Sequence, residues 1–405
     1  MSLTVRPVEG RRDLNAFIEL PYRLRRDDPQ WVPPLRFERR QFLDRQKNPY
    51  FDHAEVLLLL AERDGEVVGR LSAQVDERWD RYRGGSDGLF GFFESERDAA
   101  TAAALFDEAS AWLRERGRTR LLGPMDFTTN DECGLLIEGH DEPSMILEPW
   151  HPPYYRELIE GLGMTKAMDL LMWALWFGEL KEGTSLHPMI HAAAEKSRES
   201  GVELRNMRRS DLEAEVRRFM DVYNEAWGDN WGFVPITEDE VRFQAKALKP
   251  VLDENWAMIA EKDGEVVGAA LTLPDVDQAL RRMNGRLLPT GWWHFLRRKR
   301  YIDRVRVFAL GVKHAYQHLG VAAALYERHV QTAVAVGPLG GHMGWILEVN
   351  EPMNRAMEGM GGKVVQRYRL YERPLDGAAA RHRAPAGDEA ASSAGDDAAN
   401  SEDAR

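Results

Sequence analysis

The sequence predicts an α/β protein built twice over, each half a mixed, largely antiparallel sheet flanked by helices. Three observations predict it. Ala61-Glu-Arg-Asp-Gly-Glu-Val-Val-Gly69 recurs as Ala260-Glu-Lys-Asp-Gly-Glu-Val-Val-Gly268. A second pair, Glu160-Gly-Leu-Gly163 and Glu358-Gly-Met-Gly361, follows in the same order at nearly the same spacing. Two such marks in register indicate a duplicated unit. In both copies a hairpin then leads into strand–helix–strand stretches, a pattern that lays helices on a sheet.

In the first half, Arg11–Tyr22 and Leu35–Arg45 carry helical periodicity. Asp-Gly between the apolar runs Val56–Leu60 and Leu71–Val75 predicts a hairpin over 55–76. Strand Gly88–Glu94, an Ala-rich helix Arg97–Arg116, strand Arg120–Met125, helix Tyr154–Leu162 and strand Ala167–Phe177 complete it. The second half reads as strand Leu204–Met207, helices Asp211–Trp227 and Val241–Leu248, and a hairpin over 257–273. Strand Arg304–Val312, helix Val321–Ala335, strand Trp345–Val349, helix Met353–Met360 and strand Val364–Glu372 follow. A Gly closes the last helix of each half, as a helix C-terminus before a strand should look. The expected organisation is a domain over 1–178, a linker over 179–201 with a helix His191–Ser200, a second domain over 202–374, and a disordered acidic tail over 375–405.

Composition narrows the function. The 405 residues are 43% hydrophobic and 30% charged, ordinary for a soluble globular chain. A net charge of −12 argues against a general nucleic-acid binder. One cysteine, Cys133, excludes a disulfide framework within the chain, and nothing has zinc-ligand spacing, so no metal is expected. No apolar run is long enough to span a bilayer and the N-terminus has no signal-peptide core, so the expected location is the cytoplasm.

The motif that carries chemistry follows the strand ending Leu310-Gly311-Val312, in the turn Gln317-His318-Leu319-Gly320-Val321-Ala322. A small-residue turn opening a helix lets backbone N–H groups and the helix dipole bind phosphate. A strand, a Gln-x-x-Gly-x-Ala turn, a long helix, a strand and a short helix together resemble the GNAT acyltransferase superfamily, over roughly residues 202–372. The resemblance implies that 317–322 hold the pyrophosphate of coenzyme A. It also implies that backbone near Leu310–Val312 polarises the thioester carbonyl. Asn350, eleven residues before Gly361, matches the family's cofactor-side Asn.

There are departures. Met357 stands where many of these enzymes have a Tyr that protonates the leaving thiolate, and a thioether donates no proton. Either Tyr316, His314 or a water donates instead, with Tyr316 the residue chosen from sequence, or this half does not catalyse acyl transfer; Glu348, at the end of the next strand, is the expected base. The first half has no such turn. It reads Glu94-Ser-Glu96 where a pyrophosphate would sit, so it is a degenerate copy. The acceptor is expected near Trp227, Asn230, Trp231 and Phe233, aromatics mixed with polar groups as in a ligand pocket.

The resemblance therefore implies an N-acyltransferase taking acetyl-CoA or another acyl-CoA as co-substrate and a small-molecule or peptide amine as acceptor, by direct attack in the second half. The alternative is a non-catalytic acyl-CoA sensor or scaffold. Nucleic acid is not an expected partner and membrane contact is not expected. One stretch stands apart: Arg281–Tyr301 is basic and aromatic within an acidic chain.

Overall fold

A computed structural model describes residues 2–176, 188–337 and 340–375. The first half contains β1 (Leu3–Pro7), α1 (Gly10–Leu24), α2 (Arg36–Phe42), β2 (Ala54–Arg63), β3 (Glu66–Asp76) and α3 (Glu77–Arg83). It continues through β4 (Asp87–Ser95), α4 (Ala99–Glu115), β5 (Arg120–Gly123), β6 (Leu135–Glu138), α5 (Tyr154–Gly161) and β7 (Thr165–Trp176). The second half begins with α6 (Pro188–Glu199), β8 (Glu203–Asn206), α7 (Leu212–Trp227), α8 (Glu238–Leu248), β9 (Ala257–Lys262) and β10 (Glu265–Pro274). It ends with α9 (Asp277–Leu280), α10 (Gly291–Leu296), β11 (Arg304–Val312), α11 (Val321–Val336), β12 (Gly340–Leu347), α12 (Glu351–Gly359) and β13 (Lys363–Pro374).

The repeat is physical. Each Asp-Gly turns a hairpin, with Arg63 opposite Glu66 and Lys262 opposite Glu265. Asp64 and Asp263 both take φ +52°, the left-handed conformation such a turn requires. The two halves do not form separate sheets, however. The strand order is β1-β2-β3-β4-β5-β13-β7-β12-β11-β10-β9-β8, with β6 also on β13. The last strand among the described residues, β13, therefore pairs with β5 and β7 of the first half, while β7 pairs with β12 of the second.

β3 and β4 lie between α1 on one face and α4 on the other; β10 and β11 lie between α7 and α11. All nine residues of β4 are buried, as a strand covered on both faces should be.

Several sequence expectations change. The strand read as Trp345–Val349 begins at Gly340, because Gly340-Gly341-His342-Met343-Gly344 looks like a loop in sequence yet is held between β11 and β7. β1, α3 and β6 were not expected at all. The linker helix runs over Pro188–Glu199 and packs on α11, so it belongs to the second half. Leu375, expected to open the tail, is buried in the first-half core, and its N–H donates to the Thr119 carbonyl at 2.7 Å. Residues 177–187 and the tail from 376 lie outside the described residues.

Candidate active site

β11 and β12 pair in parallel only from Arg304↔Gly340 to Val307↔Met343, after which they part. On its other side β11 carries a bulge: Ala309 faces Leu271 and Val307 faces Thr272, leaving Phe308 without a partner. A bulge bends its strand and re-aims a side chain. Here it carries the rest of β11 away from β12 and opens the sheet.

A cavity adjoins the opening on each face. On the α11 side, a small one of about 40 Å³ is lined by Val307, Leu310, Tyr326, His342 and Met343. On the other side Phe308 forms part of the wall of a cavity of about 640 Å³. Its walls come from α1, α2, α8, α9, α10 and the loop through Ile146 and Glu148, so both halves build it. β4 and β5 part in the same way after Leu89↔Leu122, and the bulge residues Phe92 and Phe93 line the same large cavity.

The two helix starts differ sharply. α4 is capped by Asp98, which accepts from Ala100 N at 3.1 Å. Arg63 bonds Glu96 at 2.5 Å and also pairs with Asp98, while buried Glu94 is held by Arg25 and the Tyr155 hydroxyl, each at 2.7 Å. Carboxylates thus occupy the anion position of the first half. α11 instead starts from Gly320 at φ +77° with no side-chain cap. A Cβ on Gly320 would lie 2.2 Å from the Ala193 carbonyl oxygen of α6. Glycine therefore serves both the turn and the helix packed against it. Lys196 of α6 donates to the His318 carbonyl at 2.9 Å, bringing a cation to the turn.

The residues singled out in sequence scatter into distinct settings. Gln317, His318, Leu319, Gly320, Val321 and Ala322 form one continuous turn, and Gln317 Nε2 donates to the Val312 carbonyl at 3.4 Å. Leu310 lines the small cavity, and Gly311 gives room to Trp227, whose ring a Cβ there would meet at 2.2 Å. Asn350 caps α12, accepting from Met353 N at 3.2 Å. Glu348 bonds Lys166 Nζ at 2.7 Å and accepts from Asp169 N at 3.1 Å. Tyr316 donates to Glu265 at 2.9 Å on the surface. Neither Glu348 nor Tyr316 lines either cavity. Trp227 packs on Tyr223, Phe233 is buried beside the same ring, and Trp231 joins the cluster around Trp79 and Val234. With Asn230, which accepts from Phe233 N at 3.2 Å, they build the loop between α7 and α8 and stay outside the large cavity. Cys133 is buried, which pushes its thiol up and away from reactivity.

Sequence reasoning missed the groups around the opening. His342 and Glu148 are fully buried, and His342 Nδ1 lies 3.0 Å from Glu148 Oε2. Arg306, equally buried, places Nε 3.3 Å from Glu148 Oε1 and donates from Nη1 to the Ile146 carbonyl at 2.5 Å. Burial pushes the Glu148 carboxyl up, but His342 and Arg306 outweigh it and hold it below the usual carboxylate range. His342 Nε2 has no hydrogen-bond partner among the described residues. Met357 is buried in a cluster with Leu171, Trp173 and Ile346, and the one hydroxyl in that cluster is Tyr326's. The Tyr326 hydroxyl reaches Met353 Sδ at 3.1 Å, so α11 brings a phenol to the region where α12 has none.

Asp126 lines the large cavity. Burial, reinforced by Glu132, pushes its carboxyl up to about 7, against a donated Phe92 N–H at 2.7 Å. Burial likewise pushes Asp131 up to about 7. A folded pKa above the ordinary 3.8 stabilises the fold fully below 3.8, and the contribution is lost as pH rises through about 7. Asp126→Asn, which still accepts from Phe92 N, should therefore reduce the fall in melting temperature between about pH 4 and 7. Unfolding followed across pH measures this.

Among the described residues, no group of three or more His, Cys, Asp or Glu is arranged to hold a metal ion, and no helix is long and apolar enough to cross a membrane.

With this geometry in view, the relatives can be compared. No protein-family profile matches the chain. It is 38% identical over 380 residues to the bacterial ceramide synthase of Caulobacter vibrioides, covering 92% of this chain and 98% of that one. The chain belongs to the bacterial ceramide synthase family. A second relative, protein YghO of Escherichia coli, is 35% identical over 377 residues, covering 92% of this chain and 95% of its own. Among solved structures, a tandem GNAT protein from the clavulanic acid biosynthesis pathway superposes with a TM-score of 0.55, at 12% identity, over 92% of this chain and 99% of its own. A GCN5-related N-acetyltransferase from Sphaerobacter thermophilus gives 0.51 at 14% identity, over 92% and 96%. This member of the family thus has the GNAT fold, in tandem.

Proposed function

We propose that the chain is an N-acyltransferase that joins the acyl group of a fatty acyl-CoA to an amine carrying a long alkyl chain. The observation that carries this reading is the large cavity. It meets the β11–β12 opening at Phe308, its volume of about 640 Å³ is that of a ligand pocket, and it is rich in aliphatic and aromatic side chains. An acetyl group with a small polar amine would leave most of it unfilled. The Caulobacter relative's name supports the same chemistry, since a ceramide is a fatty amide of a long-chain amino alcohol.

In this reading the α11 turn, with Lys196 beside it, binds the pyrophosphate, and the thioester lies in the opening. The amine enters from the large cavity, where the carboxyl of Asp126 holds its polar head. His342 keeps its proton on Nδ1 toward Glu148, so the Nε2 lone pair accepts a proton from the amine. The nitrogen attacks the thioester carbonyl, a C–N bond forms and the C–S bond breaks. Peptide N–H groups of β11 beyond Val307, no longer engaged by β12, stabilise the developing oxyanion. Tyr326 gives its proton to the leaving thiolate.

The test is to incubate the protein with palmitoyl-CoA and a long-chain amino alcohol and to follow free thiol and amide together. Amide formation that Ala322→Glu abolishes, by placing a carboxylate in the first turn of α11, supports the reading. Binding of palmitoyl-CoA without turnover of any amine favours the sensor instead. Tyr326→Phe should lower kcat about a hundredfold with KM little changed, measured by thiol release.

A further inference from the structure

We infer that residues 281–300 form a docking surface for an anionic phospholipid bilayer at the mouth of the large cavity. That the mouth passes lipid substrates rests on the function proposed above; the docking stands on the surface itself.

Four of the eleven large hydrophobic side chains exposed among the described residues fall within 288–296: Leu288 at 74%, Leu296 at 65%, Trp292 at 46% and Trp293 at 45%. Single exposed apolar residues are ordinary, but a contiguous group marks an interaction site. Residues 281–300 hold seven cations and no Asp or Glu, in a chain of net charge −12. Arg281, Arg282, Arg286, Arg297, Lys299 and Arg300 are exposed, and none of them forms an ion pair among the described residues. Solvated cations beside exposed tryptophans suit an anionic headgroup layer: the rings sit at headgroup depth and the charges meet phosphate.

The patch is built rather than frayed. The Arg297 guanidinium lies 3.8 Å over the Trp293 ring, and Trp292 Nε1 donates to the Pro289 carbonyl at 2.9 Å. Arg298 ties it to the end of α8 through the Pro250 carbonyl at 2.9 Å. It also adjoins the cavity. Phe295, between Trp293 and Leu296, lines the cavity wall. Phe37 of α2, 41% exposed, lines it from the other half, and α2 is tied to the patch where Arg36 donates to the Asn284 carbonyl at 2.8 Å. A bilayer touching Trp292 and Leu296 would therefore face the way into the apolar chamber.

The test is co-sedimentation of the full chain with vesicles of phosphatidylcholine alone and of phosphatidylcholine mixed with phosphatidylglycerol. The protein should pellet with the anionic vesicles, remain in solution with the neutral ones, and be released by salt. The triple variant Arg297→Glu, Lys299→Glu, Arg300→Glu should weaken binding about a hundredfold, at about fivefold for each surface cation lost. The double variant Trp292→Ala, Trp293→Ala should also weaken it, and both variants should melt at the native temperature. Equal binding to neutral vesicles, no binding to either, or undiminished binding by the variants would overturn the proposal. Capture of an acidic acyl carrier protein in place of vesicles would do so too. Turnover of a water-soluble amine without vesicle binding sinks the surface and leaves the acyltransferase standing; vesicle binding without turnover of any amine does the reverse.

Discussion

His342→Gln is expected to slow amide formation by about a hundredfold or more while leaving acyl-CoA binding unchanged. Glutamine keeps a side-chain N–H that can donate to Glu148, so the buried carboxylate retains a partner and the fold survives. It supplies no basic lone pair at the opening. An amine is mostly ammonium near neutral pH, and a variant without a base works only on the small fraction already deprotonated. The rate of the variant should therefore climb more steeply with pH than that of the native protein. Rates over a pH series, with palmitoyl-CoA affinity measured separately, check both. Equal rates and equal pH profiles would remove His342 from the chemistry.

Arg306→Met is expected to destabilise the fold by about 3–5 kcal/mol, because it strips a buried carboxylate of its cation. Arg306 is only 1% exposed, and it joins the two halves: it lies on β11, bonds the Ile146 carbonyl and faces Glu148, both from the first half. Methionine fills similar space but leaves Glu148 with His342 as its remaining side-chain hydrogen-bond partner. A fall in melting temperature on the order of 5–10 °C should result. Adding Glu148→Gln should recover part of it, since the uncompensated charge then disappears. A double variant as unstable as the summed singles would mean the two side chains act independently.

The fold was largely legible because both marks of duplication sit where the backbone is constrained, at Asp-Gly hairpins and at a Gly after a helix. The turn that opens α11 was legible for a similar reason: Gly320 must take a left-handed φ, and Gln317 and Ala322 frame it. The groups at the opening were not. His342 lies in Gly340-Gly341-His342-Met343-Gly344, which has no strand pattern of its own, and becomes β-structure only because β11 and β7 flank it. Its partner Glu148 comes from a loop 194 residues away in the chain. Tyr326 carries no mark in the sequence of α11 that sets it apart, and only packing brings it near Met353 and Met357. Glu348, at the end of the strand beside the motif, bonds Lys166, and Tyr316, at the start of the turn, bonds Glu265, pairings with residues far away in the chain.

The placing of β13 between β5 and β7 has a consequence for synthesis. A ribosome completes every first-half strand well before residues 363–374 emerge, at about 5–20 residues per second. Throughout that interval the nascent first half holds β5 and β7 with unmatched edges, the state most open to wrong pairing with another chain. Only the final dozen residues of β13 close the gap, and they close it for both copies at once. The two repeated units thus form a molecule that cannot be cut back to one: severed after β7, the first half would lack the strand that joins β7 to its own sheet.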